Sequence, residues 1–157
     1  MKDQTVIVLE RTPTADSRSC DCSKISEREL LRSSKSHMRD VRRTGDLLCR
    51  RFAKALEIHD HDKVSDICAF HKEFVTDFGT RDWLDNHFKV NRHHLSESGG
   101  VPEDVDLIDV LEHITDCVAA GTARTGVVYP VKLPDDLLQK AVENTVKFLT
   151  DRVRVVS

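Results

Sequence analysis

The chain has 157 residues, of which 39% are hydrophobic and 32% charged, a composition typical of one folded domain rather than a disordered segment. Its net charge is −3 with histidine neutral, so we expect neither general nucleic-acid binding nor attraction to an anionic membrane. No apolar run approaches the roughly 20 residues that cross a bilayer, and no signal-peptide core is recognisable. We therefore expect a cytoplasmic protein without a membrane partner.

The first 25 residues differ in composition from the rest of the chain. Residues 5–9 are β-branched and apolar, which predicts a short strand. Residues 11–23 are rich in Ser, Thr, Asp and Pro, which predicts a loop or loosely held arm. We therefore divide the chain into an N-terminal strand and arm, residues 1–25, and a single helical domain, residues 26–157.

From residue 26 the spacing of apolar residues becomes helical. Ser26-x-x-Glu29 resembles a capping box, and Ser36 is a plausible N-cap for a long helix that ends near residue 57. One stripe of that helix is predicted to face inward. It contains His37, Val41, Leu48, Phe52 and Ala55. A further helix is predicted over residues 63–78 and is ended by Gly79.

The second half of the chain predicts three more helices. Thr80 is expected to cap a short helix that contains Trp83 and His87. A loop at 96–102 precedes a helix that begins at Pro102 and runs to about residue 120. Residues 122–133 are predicted to be extended and to pair with residues 5–9. Pro134 opens a last helix to about residue 152, so the fold class is an all-α helical bundle with a short N-terminal extended segment.

Histidine is the unusual residue type of this chain. Seven of the eight histidines fall between residues 37 and 94, among many acidic residues. They are His37, His59, His61, His71, His87, His93 and His94, and the eighth is His113. Because histidine is the commonest metal ligand and titrates near neutral pH, this composition favours a metal site.

The segment His59-Asp60-His61-Asp62-Lys63 lies where one predicted helix ends and the next begins. An adjacent His and Asp can bind one divalent metal, or hold two metals through a bridging carboxylate. Lys63 could place its positive charge over a bound phosphate. The alternative is a charge-dense, solvated turn between two helices.

Two further polar clusters follow. The first is His87 with His93-His94, in which His87 and His94 would share a face if the helix continued; the alternative is a polar helix end. The second is Glu112-His113-x-x-Asp116, in which Glu112 and Asp116 lie on one helical face opposite an apolar stripe. A solvated face and a metal site inside a helical bundle predict this second pattern equally well.

The five cysteines, which include Cys20-x-Cys22, show no second ligand pair at the spacing of a zinc knuckle. Single thiols in apolar stretches are most often small core residues of a protein in a reducing compartment. We therefore expect neither a structural zinc site nor a disulfide framework.

The order of these residues resembles the signature of the HD-domain superfamily of metal-dependent phosphohydrolases. In that signature a histidine on an early helix is followed by His-Asp, by further histidines and by an aspartate on a later helix. Here the order is His37, His59-Asp60, His87, His93-His94 and Asp116. His59-Asp60-x-x-Lys63 is similar to the HDxxK form. Trp83, His87 and Asn91-Arg92-His93-His94 resemble small, uncharacterised phage and bacterial HD-like proteins, and the resemblance covers residues 36–120.

The resemblance implies hydrolysis of a nucleotide or related phosphate ester by a metal-activated water. The implied metal ligands are His37, His59, Asp60, His87, His93, His94 and Asp116. Lys63, His93 and His94 are expected to contact the substrate phosphate, and Asp60, Lys63 and Glu112 to be catalytic, with His61, His71 and His113 in reserve for proton transfer. Histidine and carboxylate ligands suit one or two ions of Mn, Fe, Co, Ni or Zn.

Three other functions stay open at this stage. One is a di-iron oxygenase, because some HD-fold proteins use the same ligands for oxygen chemistry. Another is a non-catalytic metal-binding accessory protein of phage or bacterial origin, which binds a host partner through residues 1–25 and Cys20-x-Cys22. The third is a helical domain with a solvated, histidine-rich surface. Homo-oligomerisation is also left open.

Overall fold

The computed structural model describes residues 5–12, 14, 16–96 and 101–156. Within them the elements in chain order are β1 (Ile7–Glu10), α1 (Glu27–Ile58), α2 (His61–Ser65), α3 (Ile67–Phe74), α4 (Asp82–Val90), α5 (Leu107–Thr125), α6 (Leu137–Thr150) and β2 (Val153–Val156). A short 3-10 turn, Cys22–Lys24, precedes α1. The predicted all-α class is confirmed. No helix in the described ranges is long and apolar enough to cross a membrane.

The described residues form two compact units. One contains the residues up to Arg50 together with those from Lys147 onward, and the other is Arg51–Val146. The predicted boundary at residue 25 falls inside the first unit, and the predicted single domain of residues 26–157 stays a prediction.

The first unit contains a two-stranded parallel sheet formed by β1 and β2. Ile7 pairs with Val153 and Glu10 with Val156, and the backbone N–H of Ile7 donates to the carbonyl of Arg152 at 2.8 Å. The strand predicted for residues 5–9 is therefore present, shifted by one or two residues. Its predicted partner, residues 122–133, is wrong because β1 pairs with the end of the chain instead.

Helix α1 begins at the predicted capping box. The Ser26 N–H donates to Glu29 Oε2 at 3.1 Å, and the Glu29 N–H donates to Ser26 Oγ at 3.3 Å. The helix then continues through Ser36, whose hydroxyl accepts a hydrogen bond from Arg39, so the predicted N-cap at Ser36 is wrong. The predicted inward stripe is also wrong at His37 and Val41, which are exposed. The buried positions of α1 are Ser33, Ser36, Asp40 and Leu47.

In the second unit the helix predicted over residues 63–78 is two shorter helices, α2 and α3. The buried Glu73 near the end of α3 organises the start of α4. Its Oε1 accepts from the Trp83 N–H at 2.9 Å and from the Thr80 hydroxyl at 2.7 Å, and its Oε2 accepts from the Leu84 N–H at 3.3 Å. A side chain from another helix therefore satisfies the first N–H groups of α4, in place of the predicted cap by Thr80.

Helix α5 begins at Leu107, five residues after the predicted start at Pro102, because Asp106 and Asp109 form a reciprocal capping box there. The predicted loop at 96–102 lies partly outside the described residues. Around the start of α5 a small apolar core is fully buried. It contains Leu95, Val105, Val110, Leu137 and Ala141.

The segment predicted to be extended, residues 122–133, is helical up to Thr125, and residues 126–134 form no strand but return along the end of α5. The Tyr129 N–H donates to the carbonyl of Cys117 at 3.1 Å, which brings this segment against Gly121. A Cβ atom on Gly121 would lie 2.6 Å from the carbonyl oxygen of Val127 and closer still to the nitrogen of Tyr129. Only glycine therefore allows this approach.

Gly121→Ala is expected to lower the free energy of unfolding by about 1–3 kcal/mol, because the returning backbone must move away from α5. Gly45→Ala is the matched control, since Gly45 is also helical and a Cβ there meets nothing within 4 Å. We expect it to stabilise the protein by about 0.5–1 kcal/mol through helix propensity. Thermal unfolding followed by circular dichroism measures both, and equal effects of the two substitutions would contradict the close approach.

The cysteines differ from the prediction that they are core residues. Cys117 is buried, whereas Cys22, Cys49 and Cys68 are exposed, and Cys20 is half-buried. All five are free thiols in this structure.

Candidate metal centre

The centre of the site is the junction between α1 and α2. Asp60 has a φ of 53°, a left-handed conformation that Asp and Asn tolerate better than other non-glycine residues. Its backbone N–H donates to Asn91 Oδ1 at 3.2 Å, which ties the junction to the end of α4. This turn places the side chains of His59 and Asp60 next to each other, as the sequence predicted for a helix break.

Three imidazole rings present Nε2 to the Asp60 carboxylate. His87 Nε2 lies 3.4 Å and His93 Nε2 lies 3.6 Å from Asp60 Oδ1, while His59 Nε2 lies 3.5 Å from Asp60 Oδ2. Two ligand atoms of a tetrahedral site with bonds of about 2.0–2.1 Å are separated by about 3.3 Å. The separations around Asp60 are therefore close to those of atoms that share a metal ion.

Two more side chains complete this inner set. His94 Nε2 lies 2.8 Å from His87 Nε2, and Asp116 Oδ1 lies 3.6 Å from His59 Nε2. Two groups of three residues could each hold a metal ion, because the ligand atoms within each group lie within 4.8 Å of one another. One group is His59, His93 and Glu112, and the other is Asp60, His87 and His94. Asp60 lies between the rings of both groups.

The opposite nitrogens of the same rings face carboxylates. Glu112 Oε1 lies 2.9 Å from His59 Nδ1 and 3.0 Å from His93 Nδ1, and Asp62 Oδ2 lies 2.7 Å from His87 Nδ1. A carboxylate that accepts the Nδ1 proton leaves the Nε2 lone pair free and fixes the ring orientation, as in the carboxylate–histidine pairs around protein-bound metals. The orientation of all three rings thus favours a cation at Nε2.

Buried polar atoms without a partner give a second indication of a ligand. Among the described residues, Asp60 Oδ1 and His93 Nε2 are buried and make no hydrogen bond of good geometry. His93 is 1% exposed. Because a buried polar group without a hydrogen bond costs free energy, and because these atoms are metal-ligand types, the residues present fit a divalent cation.

The charges of the site also favour a cation. Hydrogen bonds with Asp116 and Glu112 raise the pKa of His59 to about 10. The hydrogen bond with His59 lowers the pKa of Asp116 to about 2, and although burial alone would raise the pKa of Glu112, its contacts with His59 and His93 lower it to about 2. Burial, followed by the neighbouring His93 and His87, lowers the pKa of His94 to about 3. The carboxylates thus stay ionised around a point that attracts positive charge.

Contacts from α5 hold the segment that carries His93 and His94. The Arg92 guanidinium donates from Nε to Asp109 Oδ1 at 2.7 Å and from Nη2 to Asp109 Oδ2 at 2.8 Å. His113 Nδ1 lies 2.9 Å from the carbonyl oxygen of His93. The face of α5 that carries Glu112 and His113 is buried, so the interpretation of these two positions as a solvated face is wrong.

Most of the predicted site residues come together in the second unit. They are His59, Asp60, Lys63, His87, His93, His94, Glu112 and Asp116. Lys63 forms an ion pair with Asp60 Oδ2. His37 is in the first unit, where it is exposed, and it belongs to neither group of potential ligands. His61 and His71 are exposed as well.

Two functional candidates were not singled out from the sequence. Asp62 holds His87, and Asn91 donates from Nδ2 to Asp62 Oδ1 at 2.9 Å while its Oδ1 accepts from the Asp60 N–H. Both lie inside segments that the sequence analysis used, His59–Lys63 and Asn91–His94. The sequence gives one indication of a role for Asp62, which is its position two residues after Asp60. That position does not show that α4 lies close enough for His87 to contact Asp62.

The comparisons with known proteins give no relative: no protein-family model, no curated protein and no solved structure matches this chain.

Proposed function

We propose that the second unit is a metal-dependent phosphohydrolase that acts on a nucleotide or a related phosphate ester. The observation that carries the proposal is the set of three imidazoles, His59, His87 and His93, with Nε2 beside the Asp60 carboxylate and Nδ1 beside a carboxylate. The order of these residues along the chain also resembles the HD-domain signature, although the early histidine of that signature, His37, lies outside both ligand groups.

The proposed centre would be held by His59, Asp60, His87, His93, His94 and Asp116. Nitrogen and carboxylate ligands of this kind suit Mn, Fe, Co, Ni or Zn. A bound ion of this class lowers the pKa of its water to near 7 and so supplies a hydroxide nucleophile at neutral pH. Asp60, which faces rings of both ligand groups, is the residue suited to bridge two ions.

The side chains around the centre have separate tasks. Lys63 carries a positive charge at the Asp60 carboxylate, where it would offset the negative charge of a phosphate oxygen. Glu112 and Asp62 would keep the histidine rings oriented, because their carboxylates pair with the Nδ1 atoms of those rings. His93 is almost completely buried, which favours a role as a metal ligand, whereas His94 is half-buried and would also reach a substrate phosphate.

Metal removal tests this proposal. Protein purified without a histidine tag is expected to contain transition metal at near-stoichiometric amounts by elemental mass spectrometry. A chelator should abolish hydrolysis of a panel of nucleoside phosphates and lower the melting temperature, and re-addition of Mn²⁺ or Zn²⁺ should restore both. A metal at 100 times its Kd adds about 2.7 kcal/mol to the stability of the folded state.

The outcomes separate the competing functions. Bound iron with visible absorption, but without phosphate release, would replace the proposal with the di-iron oxygenase. Bound metal without turnover of any substrate, together with loss of partner binding on deletion of residues 1–25, would replace it with the accessory protein. If the protein binds no metal even after incubation with Mn²⁺, Fe²⁺ or Zn²⁺, the proposal fails.

A further inference from the structure

A second candidate site lies in the first unit, in a groove between the N-terminal half of α1 and the residues that follow β1. Its volume is about 860 Å³, within the range of about 300–1,000 Å³ that is usual for ligand sites. The lining is strongly cationic: Arg11, Arg28, Arg32, Lys35 and Arg39 face two acidic residues, Glu10 and Glu29. The net charge of the whole chain is −3, so it does not reveal this local excess of positive charge.

The spacing of the cations makes the groove a linear site. Arg28, Arg32, Lys35 and Arg39 follow one another at intervals of four, three and four residues, so they share one face of α1. From first to last they span about 16 Å at a rise of about 1.5 Å per residue. A nucleic-acid strand with stacked bases carries one phosphate per about 3.4 Å, hence about five phosphates over this length.

The charges of the groove are available to a ligand. Arg28, Arg32 and Lys35 are exposed and form no ion pair among the residues that the structure describes. One of the two acidic residues, Glu29, is already bound to the N–H and hydroxyl of Ser26. The hydroxyls of Thr12 and Ser36 line the same groove and are suited to phosphate oxygens.

From this arrangement we infer that the groove binds single-stranded nucleic acid through its phosphates. No aromatic residue is among the described residues that line the groove, so no side chain would stack on the bases and we expect no sequence preference. The cations line a concave groove, which an extended single strand can enter. The inference does not rest on the proposed hydrolysis, because it uses residues of the first unit alone.

The test is the binding of a fluorescent 15-nucleotide single-stranded DNA to the full chain, measured by anisotropy over a range of salt concentrations. We expect the triple variant Arg28→Gln, Arg32→Gln, Lys35→Gln to bind at least roughly ten-fold more weakly at low salt. Its slope of log K against log salt should be smaller by about 2, since each neutralised phosphate of a single strand contributes about 0.7. Gel electrophoresis after each titration checks that the oligonucleotide is intact.

The matched control is Arg50→Gln, Lys72→Gln, Lys140→Gln, which removes the same charge from exposed positions outside the groove and should bind as the native chain does. Circular dichroism checks that both triple variants are folded. The inference is overturned if the two variants bind equally well. It is also overturned if inorganic polyphosphate of equal charge, or vesicles with anionic lipid, bind the groove more tightly than the oligonucleotide.

Discussion

Asp60→Asn is expected to remove the bound metal and to lower the rate of phosphate-ester hydrolysis by at least roughly three orders of magnitude. Asp60 faces His59, His87 and His93, and an amide cannot offer the anionic oxygens that these rings share with a cation. Asparagine is the substitution to use because it tolerates the positive φ of this position, whereas alanine would add backbone strain. Metal content and initial rates, each with added Mn²⁺ and Zn²⁺, measure the effect.

Asp77→Asn is the matched control for this variant. Asp77 has a φ of 51°, close to that of Asp60, and its side chain is exposed. The control therefore makes the same chemical change in the same backbone conformation, and it should leave metal content and rate unchanged. If Asp60→Asn retains both metal and activity, Asp60 is not the central ligand and the proposed centre is wrong.

Glu112→Gln is expected to weaken metal binding by about 10–100-fold, the range found when a group that orients ligand histidines is replaced. Glu112 contacts Nδ1 of both His59 and His93, so one substitution disturbs two rings. Glutamine has a similar size but no charge, and it cannot accept the proton of both rings as strongly as a carboxylate does. Metal titration followed by isothermal calorimetry measures the affinity.

The control for Glu112→Gln is Glu143→Gln, on the exposed surface of α6. A positioning role predicts that a higher metal concentration restores much of the rate in Glu112→Gln. It also predicts a similar but smaller effect for Asp62→Asn, which disturbs one histidine ring, His87, rather than two. An unchanged affinity in Glu112→Gln would show that the rings keep their orientation without it.

Asp60→Asn and Glu112→Gln change different kinds of contact in the same site. Asp60 offers its oxygens to the proposed ion, whereas Glu112 acts through the histidines. A rate that metal restores in Glu112→Gln but not in Asp60→Asn would separate these roles, and loss of folding would affect both variants alike. Thermal unfolding of the metal-free variants therefore belongs with each measurement.

Several features of this protein follow from short stretches of its sequence. The capping box of Ser26 and Glu29, the short strand near residue 7 and the helix break at His59-Asp60 were all predicted at or close to their observed positions. Each depends on groups within about four residues of one another, so local backbone chemistry is sufficient. The resemblance to the HD-domain signature implied that His59, Asp60, His87, His93 and His94 come together, and the structure brings them together.

Only the tertiary structure decided which surfaces are covered. Periodicity shows that Glu112 and Asp116 share a face of α5, but the burial of Glu112 depends on the segment that Arg92 and His113 hold against that face. For the same reason His37 was placed on an inward stripe although it is exposed. Likewise the pairing of β1 with β2 joins residues near opposite ends of the chain. Local sequence determines which side chains share a face of a helix or strand. Side-chain burial and strand pairing depend on residues far away along the chain, and no local pattern shows which of these come close.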